Sequence, residues 1–396
     1  MIRSIHPFPA RMAPELALEK LQDLKFKGLV LDPMAGSGTV LRQATDLGHR
    51  AVGFDMDPLA VLMTRVWTTA VDEKLVESMA DRVTRRIAAI QPDEIKLPWM
   101  DDDNETSDFV DFWFAEPQKG DLRRIAFVLD ELGHELADPA EQLAIDLLRI
   151  SLSRLIITKD KGASLARDVS HSRPHKVAEQ NNFDVQSMFA RSIKAVQKRL
   201  KDAPPAGGAA IELGDARTLT AVEDRSIDAV ITSPPYLNAI DYMRGHRLSL
   251  IWLGHRLGDL RTIRSSSIGA ERAPDAIDEA AILMQMQQAM GTIDQLPNKF
   301  QLMIKRYVQD IKRMVSEVAR VLKAGAHATF VMGNSCLRGT FIRNSDAVAT
   351  AARNAGLSLV SETERPLPQR SRYLPMTSDS LGKRMRTETI LTFAQA

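Results

Sequence analysis

The chain has 396 residues, 44% hydrophobic and 26% charged, which is roughly two to three domains' worth of chain, or one core with a large insertion. With 52 Lys+Arg against 51 Asp+Glu, a nucleic-acid partner would have to be met by local basic patches and not by a global field. A single cysteine excludes an internal disulfide framework and a multi-cysteine zinc site and suits a reducing cytoplasm, while no apolar run approaches the roughly 18 residues of a membrane span and MIRSIHPFPARMAPE lacks a secretory signal's apolar stretch.

Leu29-Val30-Leu31 is a short apolar run ending at Asp32, followed by a glycine-rich turn. Val40, Leu41 and Ala44 predict a helix face, and Arg50–Phe54 a second strand ending at Asp55. Strand, tight turn, helix and strand make a β-α-β unit, which argues for a parallel sheet. From 73 to 204 the pattern changes. An acidic stretch (Asp101, Asp102, Asp103, Glu105, Asp108) precedes long helical spacings such as Leu143, Leu147, Leu148, Leu152 and Leu155. Pro204-Pro205-Ala206-Gly207-Gly208 then reads as a break. Residues 73–204 are therefore expected to be a mostly helical insertion between 1–72 and 205–396.

Strand pattern resumes at Ala210–Leu213, and Ile227–Ile231 leads directly into Thr232-Ser233-Pro234-Pro235-Tyr236. Ile304, Val308, Ile311, Val315, Val318 and Leu322, spaced 4, 3, 4, 3 and 4, predict a helix, with Gly325 as its stop. Ala328–Met332 reads as a strand, 346–355 as a helix, and Leu357–Val360 with Thr387–Phe393 as an antiparallel edge hairpin. The expected fold class is α/β: a Rossmann-like, mostly parallel sheet with that edge hairpin and the large helical insertion.

Three places carry chemistry. In Asp32-Pro33-Met34-Ala35-Gly36-Ser37-Gly38-Thr39, glycines let the backbone approach a ligand and a helix N-terminus presents free N–H groups. No Gly-Lys-Ser/Thr follows, so it is not a phosphate P-loop, and Leu41 stands where the dinucleotide fingerprint needs its third glycine. An ordinary tight turn is the plain alternative. Asp55 closes the second strand, where a carboxylate can accept both hydroxyls of a ribose. Asp57 competes for that role and is also placed to cap the helix that starts at Pro58. In Thr232–Tyr236 two prolines fix φ and remove donors, which leaves carbonyl acceptors, the Ser233 hydroxyl and an aromatic face. That suits a planar base bearing an exocyclic amine; a rigid strand exit is the alternative.

Taken together, DPMAGSGT followed by TSPPY resembles the S-adenosylmethionine-dependent DNA amino-methyltransferases, which methylate N4 of cytosine or N6 of adenine. The resemblance covers about residues 1–70 and 205–396. It implies S-adenosylmethionine held by Asp32, Pro33, Ala35, Gly36, Ser37, Gly38 and Thr39. Asp55 and Met56 of GFDMDP, Asp215 and Ala216 of GDAR, and Phe8 and Pro9 of the N-terminal HPFPAR segment complete that set. It implies catalysis by Ser233, Pro234, Pro235 and Tyr236 on a base flipped from double-stranded DNA. The Ser heading SPPY favours cytosine N4 over adenine N6. An RNA amino-methyltransferase and a non-catalytic DNA-binding regulator are the other readings. The resemblance also raises a cognate restriction nuclease as a partner and a cytoplasmic, nucleoid-associated location.

C5-cytosine methylation needs a cysteine nucleophile. Cys336 lacks the preceding proline of that class and reads as a small buried residue after a strand. Two basic stretches are candidate DNA contacts: Lys159, Lys161, Arg167 and Arg173 in one, Arg370 and Arg372 in the other. His171 and His175, four apart around Pro174, are not expected to bind a metal. Asp241 is a pocket-lining residue or a helix cap, and Trp252 is expected in the core.

Overall fold

The computed structural model describes residues 3–8, 12–25, 27–158, 161–167, 174–237, 241–270, 281–366 and 387–396. In chain order the elements begin with α1 (Pro14–Gln22), β1 (Leu29–Asp32), α2 (Thr39–Asp46), β2 (Arg50–Asp55) and α3 (Pro58–Thr68). Next come α4 (Glu73–Ala89), α5 (Pro98–Asp101), α6 (Asn104–Trp113), α7 (Gln118–Glu135), α8 (Pro139–Ile156), β3 (Ala166–Arg167), β4 (His175–Lys176) and α9 (Val185–Asp202). The chain continues with β5 (Ala209–Leu213), β6 (Ile227–Thr232), α10 (Tyr242–Leu250), α11 (Leu257–Ser266), α12 (Ala281–Ala289) and α13 (Asn298–Val321). It ends with β7 (Leu322–Gly333), β8 (Ser335–Leu337), β9 (Thr340–Ile342), α14 (Asn344–Asn354), β10 (Leu357–Pro366) and β11 (Thr387–Gln395).

These elements form two compact units, one of residues 10–56, 208–240 and 265–396, the other of 1–9, 57–207 and 241–264. The first is the sheet unit. Its strands run in the order β10-β11-β7-β6-β1-β2-β5. The β1–β2, β2–β5, β1–β6 and β6–β7 pairs are parallel, whereas β11 is antiparallel to both β7 and β10. This is the mixed, doubly wound sheet expected from the β-α-β pattern, with its antiparallel hairpin at the β10 edge. The chain order reverses between β1 and β6, and ligands of open α/β sheets bind at the carboxyl ends of strands at such a switch point. The long amphipathic α13 buries Ile304, Val308, Ile311, Val315 and Val318 in this unit's core. It ends at Val321 rather than at Gly325. Gly325 instead has φ +73 inside β7, where the β6–β7 register shifts, so the glycine serves a bulge.

The second unit is helical. Its core joins α3, α4, α7, α8 and α9 to α10 through residues such as Trp67, Val76, Leu129, Leu148, Val196 and Leu248. Its bounds differ from the expected 73–204. Helix α3 turns Leu59, Met63, Val66 and Trp67 into this core and ties itself to α8 through Arg65 and Asp146 at 2.9 Å. Residues 241–264 join the same unit: Trp252 is buried with its ring edge-on to Phe114, and Trp99 Nε1 donates to the Ile251 carbonyl at 2.7 Å. No helix among the described residues is long and apolar enough to cross a membrane.

Candidate active site

The cofactor-type turn leaves β1 at Asp32. Gly36 and Gly38 take φ +52 and +80, left-handed values that suit a residue without Cβ. Gly38 is the N-cap of α2 and supplies no side-chain cap, so the first turn of α2 keeps N–H groups for a ligand. The fold of the turn is fixed from within: Ala35 N–H donates to the Phe54 carbonyl at 2.9 Å and Gly38 N–H to the Ala35 carbonyl at 2.8 Å. Ser37 and Thr39 are both buried, their hydroxyls 3.4 Å apart.

Two carboxylates flank this turn. Asp55, at the end of β2, accepts the Gly36 N–H at 2.8 Å. Asp32 is buried; its Oδ1 accepts the Met34 N–H at 3.2 Å and the Thr232 hydroxyl at 2.8 Å. Burial pushes the Asp32 carboxyl up to about 7, with Asp55 adding a smaller upward push against the lowering effect of the Thr232 and Met34 hydrogen bonds. The Thr232–Asp32 bond joins the first residue of TSPPY to the first residue of DPMAGSGT across the switch point.

The TSPPY loop is held at successive points. Tyr307 of α13 donates its hydroxyl to the Pro235 carbonyl at 3.2 Å, and burial drives that phenol well above its ordinary range. Ser335 donates to the Leu237 carbonyl at 2.6 Å, and Asn344 Nδ2 bonds both Ser335 Oγ and the Gly333 carbonyl, at 2.8 and 3.0 Å. Gly333 pairs with Glu388 across β7 and β11. The Tyr236 ring lies on that pair: its hydroxyl donates to Glu388 at 3.4 Å, and a Cβ on Gly333 would sit 2.8 Å from the ring. Arg365 grips the same Glu388 carboxylate at 2.7 and 2.8 Å. Gly269, at φ +81, approaches the other edge of the loop, where a Cβ would meet the Tyr236 carbonyl at 3.1 Å. Sequence patterns did not point to Tyr307, Ser335, Asn344, Gly333 or Glu388, because each acts through a contact made at long range in the chain.

The remaining expected residues fall out as follows. Pro33 and Pro234 are buried, Met56 and Ser233 half-buried. Asp215 is clasped by Arg217 through Nε at 2.9 Å and Nη2 at 2.6 Å, and Arg217 also reaches Asp310 at 2.7 Å and the Ser266 carbonyl at 2.8 Å. Ala216 is buried in the sheet unit's core. Phe8 belongs to the helical unit, stacked on Tyr242 with centroids 5.2 Å apart and tilted to His246 at 5.5 Å. Asp57 caps α3 by accepting the Leu59 N–H and pairs with His246 at 2.5 Å. Asp241 is the N-cap of α10. Cys336 lies within β8 and is half-buried, where full burial was expected. His175 lies on β4, not on a helix. Lys161 and Arg167 line one shallow cavity of about 270 Å³ together with Gln180 and Asn182, the last accepting from Lys161 at 3.2 Å. Pro9, Lys159, Arg173, His171, Arg370 and Arg372 lie outside the described residues.

No family model matches the chain. Among curated proteins it is 23% identical over 361 residues to the type II methyltransferase M.MvaI of Kocuria varians, covering 84% of this chain and 77% of that one. The chain resembles type II DNA methyltransferases. M.BsoBI of Geobacillus stearothermophilus, also a type II methyltransferase, is 25% identical over 264 residues, 60% of this chain and 50% of its own length. Among solved structures, a TehB-like SAM-dependent methyltransferase from Corynebacterium glutamicum aligns at 8% identity and TM-score 0.31, covering 98% and 89% of the two chains. A SAM-dependent methyltransferase from Methanosarcina mazei aligns at 9% and 0.33, covering 97% and 98%. Strand order and register, not these superpositions, establish the fold.

Proposed function

We propose that this protein is a site-specific, S-adenosylmethionine-dependent DNA methyltransferase that acts on an exocyclic amine, with cytosine N4 as the target atom. The observation that carries the reading is the Thr232–Asp32 hydrogen bond at 2.8 Å. It ties a turn shaped for an adenosyl-amino-acid cofactor to a loop shaped for a planar amine, at the switch point where such sheets bind ligands. Similarity to two type II methyltransferases supports it.

The turn fits the cofactor. Two left-handed glycines keep its backbone open, α2 offers N–H groups, and Asp55 stands at the end of β2 for the ribose. Bound there, S-adenosylmethionine supplies an electrophilic methyl group on a sulfonium. An amine conjugated to a base ring is a poor nucleophile because its lone pair is delocalised. The Ser233 hydroxyl and the adjoining main-chain carbonyls accept its N–H hydrogen bonds, which favours a pyramidal nitrogen with a directed lone pair. Tyr236 offers its ring to the flipped base. No enzyme nucleophile takes part, so the rate enhancement comes from positioning and preorganised acceptors. The test is methylation of DNA with labelled cofactor followed by nucleoside analysis. N4-methylcytosine is the expected product, N6-methyladenine would transfer the same mechanism to the other base, and transfer to RNA alone would refute the substrate.

The seat of Tyr236 gives a first prediction. Gly333→Ala places a methyl group 2.8 Å from the ring and must displace it. Methyl transfer is expected to fall at least tenfold with cofactor affinity unchanged, measured by single-turnover kinetics beside calorimetry.

Asp32 gives a second. Its folded-state value of about 7 lies above the 3.8 of the free side chain, so between those values the folded state keeps a proton that the unfolded chain has released. Stability therefore declines as pH rises from about 4 to 7. Asp32→Asn removes that slope and is expected to raise Tm at pH 8 but not at pH 4. S-adenosylmethionine is cationic and favours the ionised Asp32. Its affinity is expected to rise with pH up to about 7 and then level off, and to lose this dependence in Asp32→Asn.

A further inference from the structure

Four arginines of the helical unit form a cluster that the reaction chemistry does not use. Arg244 and Arg247 are three residues apart on α10, and Arg261 and Arg264 three apart on α11, a spacing that puts each pair on one helix face. Among the described residues, three of them pair with two carboxylates. Asp241 Oδ2 binds Arg264 at 2.7 Å and Arg244 at 3.4 Å, and Glu105 binds Arg261. Arg247 lies over the Phe109 ring, 4.9 Å from its centroid. Desolvation is the main influence against its charge, and Arg264, Arg244 and Arg261 add to it, whereas Asp241 favours it. The side chains of Arg244, Arg261 and Arg264 remain 40%, 57% and 43% exposed. Ion pairs this exposed contribute little, so the guanidinium groups exchange partners at small loss.

We propose that this arginine face of α10 and α11 is a contact surface for the phosphates of double-stranded DNA. Guanidinium groups bind phosphate through paired N–H donors, and a polyanion adds negative charge to the two carboxylates that pair with this cluster among the described residues. An isolated phosphate or an acidic side chain would satisfy one or two of these groups; a continuous backbone serves the three exposed ones together. Chain order supports the same partner: α10 starts six residues after Tyr236. The inference rests on the DNA methyltransferase reading and names where its substrate backbone is held, in addition to the basic residues Lys161 and Arg167. These contacts would fix register and carry no sequence information.

The test is duplex binding by fluorescence anisotropy across a potassium chloride series, for wild type, Arg261→Ala/Arg264→Ala and Arg261→Lys/Arg264→Lys. Each phosphate contact contributes about 0.9 to the slope of log affinity against log salt. The alanine pair is expected to lower that slope by nearly 2 and to weaken binding more than tenfold, with S-adenosylmethionine affinity unchanged as evidence of folding. The lysine pair should keep most of the slope. Arg261→Gln alone, at the most exposed of the three side chains, gives the one-contact version should the double variant fail to fold. A wild-type slope and affinity in a folded alanine pair, while wild type still methylates DNA, overturns the inference and leaves the function standing. A wild type that neither binds nor methylates duplex DNA overturns the function, and this surface with it. Loss of affinity for an RNA hairpin or an acidic polypeptide, with duplex binding intact, reassigns the cluster to that partner.

Discussion

Tyr236→Ala is expected to abolish most methyl transfer while leaving cofactor affinity at the wild-type value. The ring rests against Gly333, its hydroxyl reaches Glu388, and Tyr307 and Ser335 hold the carbonyls of Pro235 and Leu237. The loop therefore keeps its shape when the aromatic is removed, and what disappears is the platform for a flipped base, worth about 1–3 kcal/mol of stacking, roughly a 5- to 150-fold fall. Tyr236→Phe keeps the platform and gives up the hydroxyl with its long bond to Glu388, so it should retain most activity. Ser233→Ala removes an acceptor for the amine and should reduce the transfer step more than binding of DNA or cofactor. Ser233→Asp restores an acceptor and should recover part of the rate on the same base, because base choice depends on the whole pocket. The measurement is single-turnover methylation of a duplex carrying the recognised site. Wild-type rates for both Ser233→Ala and Tyr236→Ala would reduce the loop to a strand exit and remove the catalytic assignment.

The sheet was legible because its signals are local. Leu29–Leu31, Arg50–Phe54 and Ile227–Ile231 each end at the turn they feed, and the helix 304–322 is visible in its own spacing. Even the edge hairpin of β10 and β11, which joins β7 through Phe393 packed edge-on to Phe330 at 6.1 Å, follows from two apolar runs. Positions that depend on partners far along the chain were not legible. Whether α3 serves the sheet or the helices cannot be read from its own pattern, since Leu59, Met63, Val66 and Trp67 make an apolar face whichever core receives it. Gly325 has the composition of a helix stop and acts as a bulge, because β7 advances five residues there, from Leu322 to His327, while β6 advances two, from Ile227 to Ala229. The same distinction runs through the candidate site. Gly36, Gly38, Ser233 and Tyr236 are announced by short motifs, whereas the groups that seat Tyr236, Gly333 and Glu388, stand 97 and 152 residues away from it. The acid Asp215 was legible as a candidate, but not its clasp by Arg217, two residues on, which engages the carboxylate that a cofactor adenine would meet.

Two acids in one hexapeptide, GFDMDP, competed for the ribose, and their surroundings now separate them in an experiment. Asp57 has one oxygen on the Leu59 N–H and the other on His246 Nδ1. Burial opposes its charge, yet His246 and the α3 N–H groups outweigh that and hold its carboxyl below the ordinary range. A group lowered in this way contributes stability above its unfolded pKa and loses it as acid titrates the folded site. Asp57→Ala is therefore expected to lower Tm markedly at neutral pH, because it removes a helix cap and strands a buried imidazole. The gap to wild type should close in acid. Asp55 is different. It is half-buried at the carboxyl end of β2, bonded to the Gly36 N–H at 2.8 Å, and so already adjoins the backbone that lines the turn. Asp55→Ala should weaken S-adenosylmethionine binding by about 1–3 kcal/mol, some 5- to 150-fold, through the lost diol hydrogen bonds. Thermal stability without cofactor should change little. Calorimetric titration of both folded variants decides the matter. Unchanged affinity in Asp55→Ala together with a large loss in Asp57→Ala, measured well below its Tm, would move the ribose to Asp57 and require the His246 pair to open when the cofactor binds.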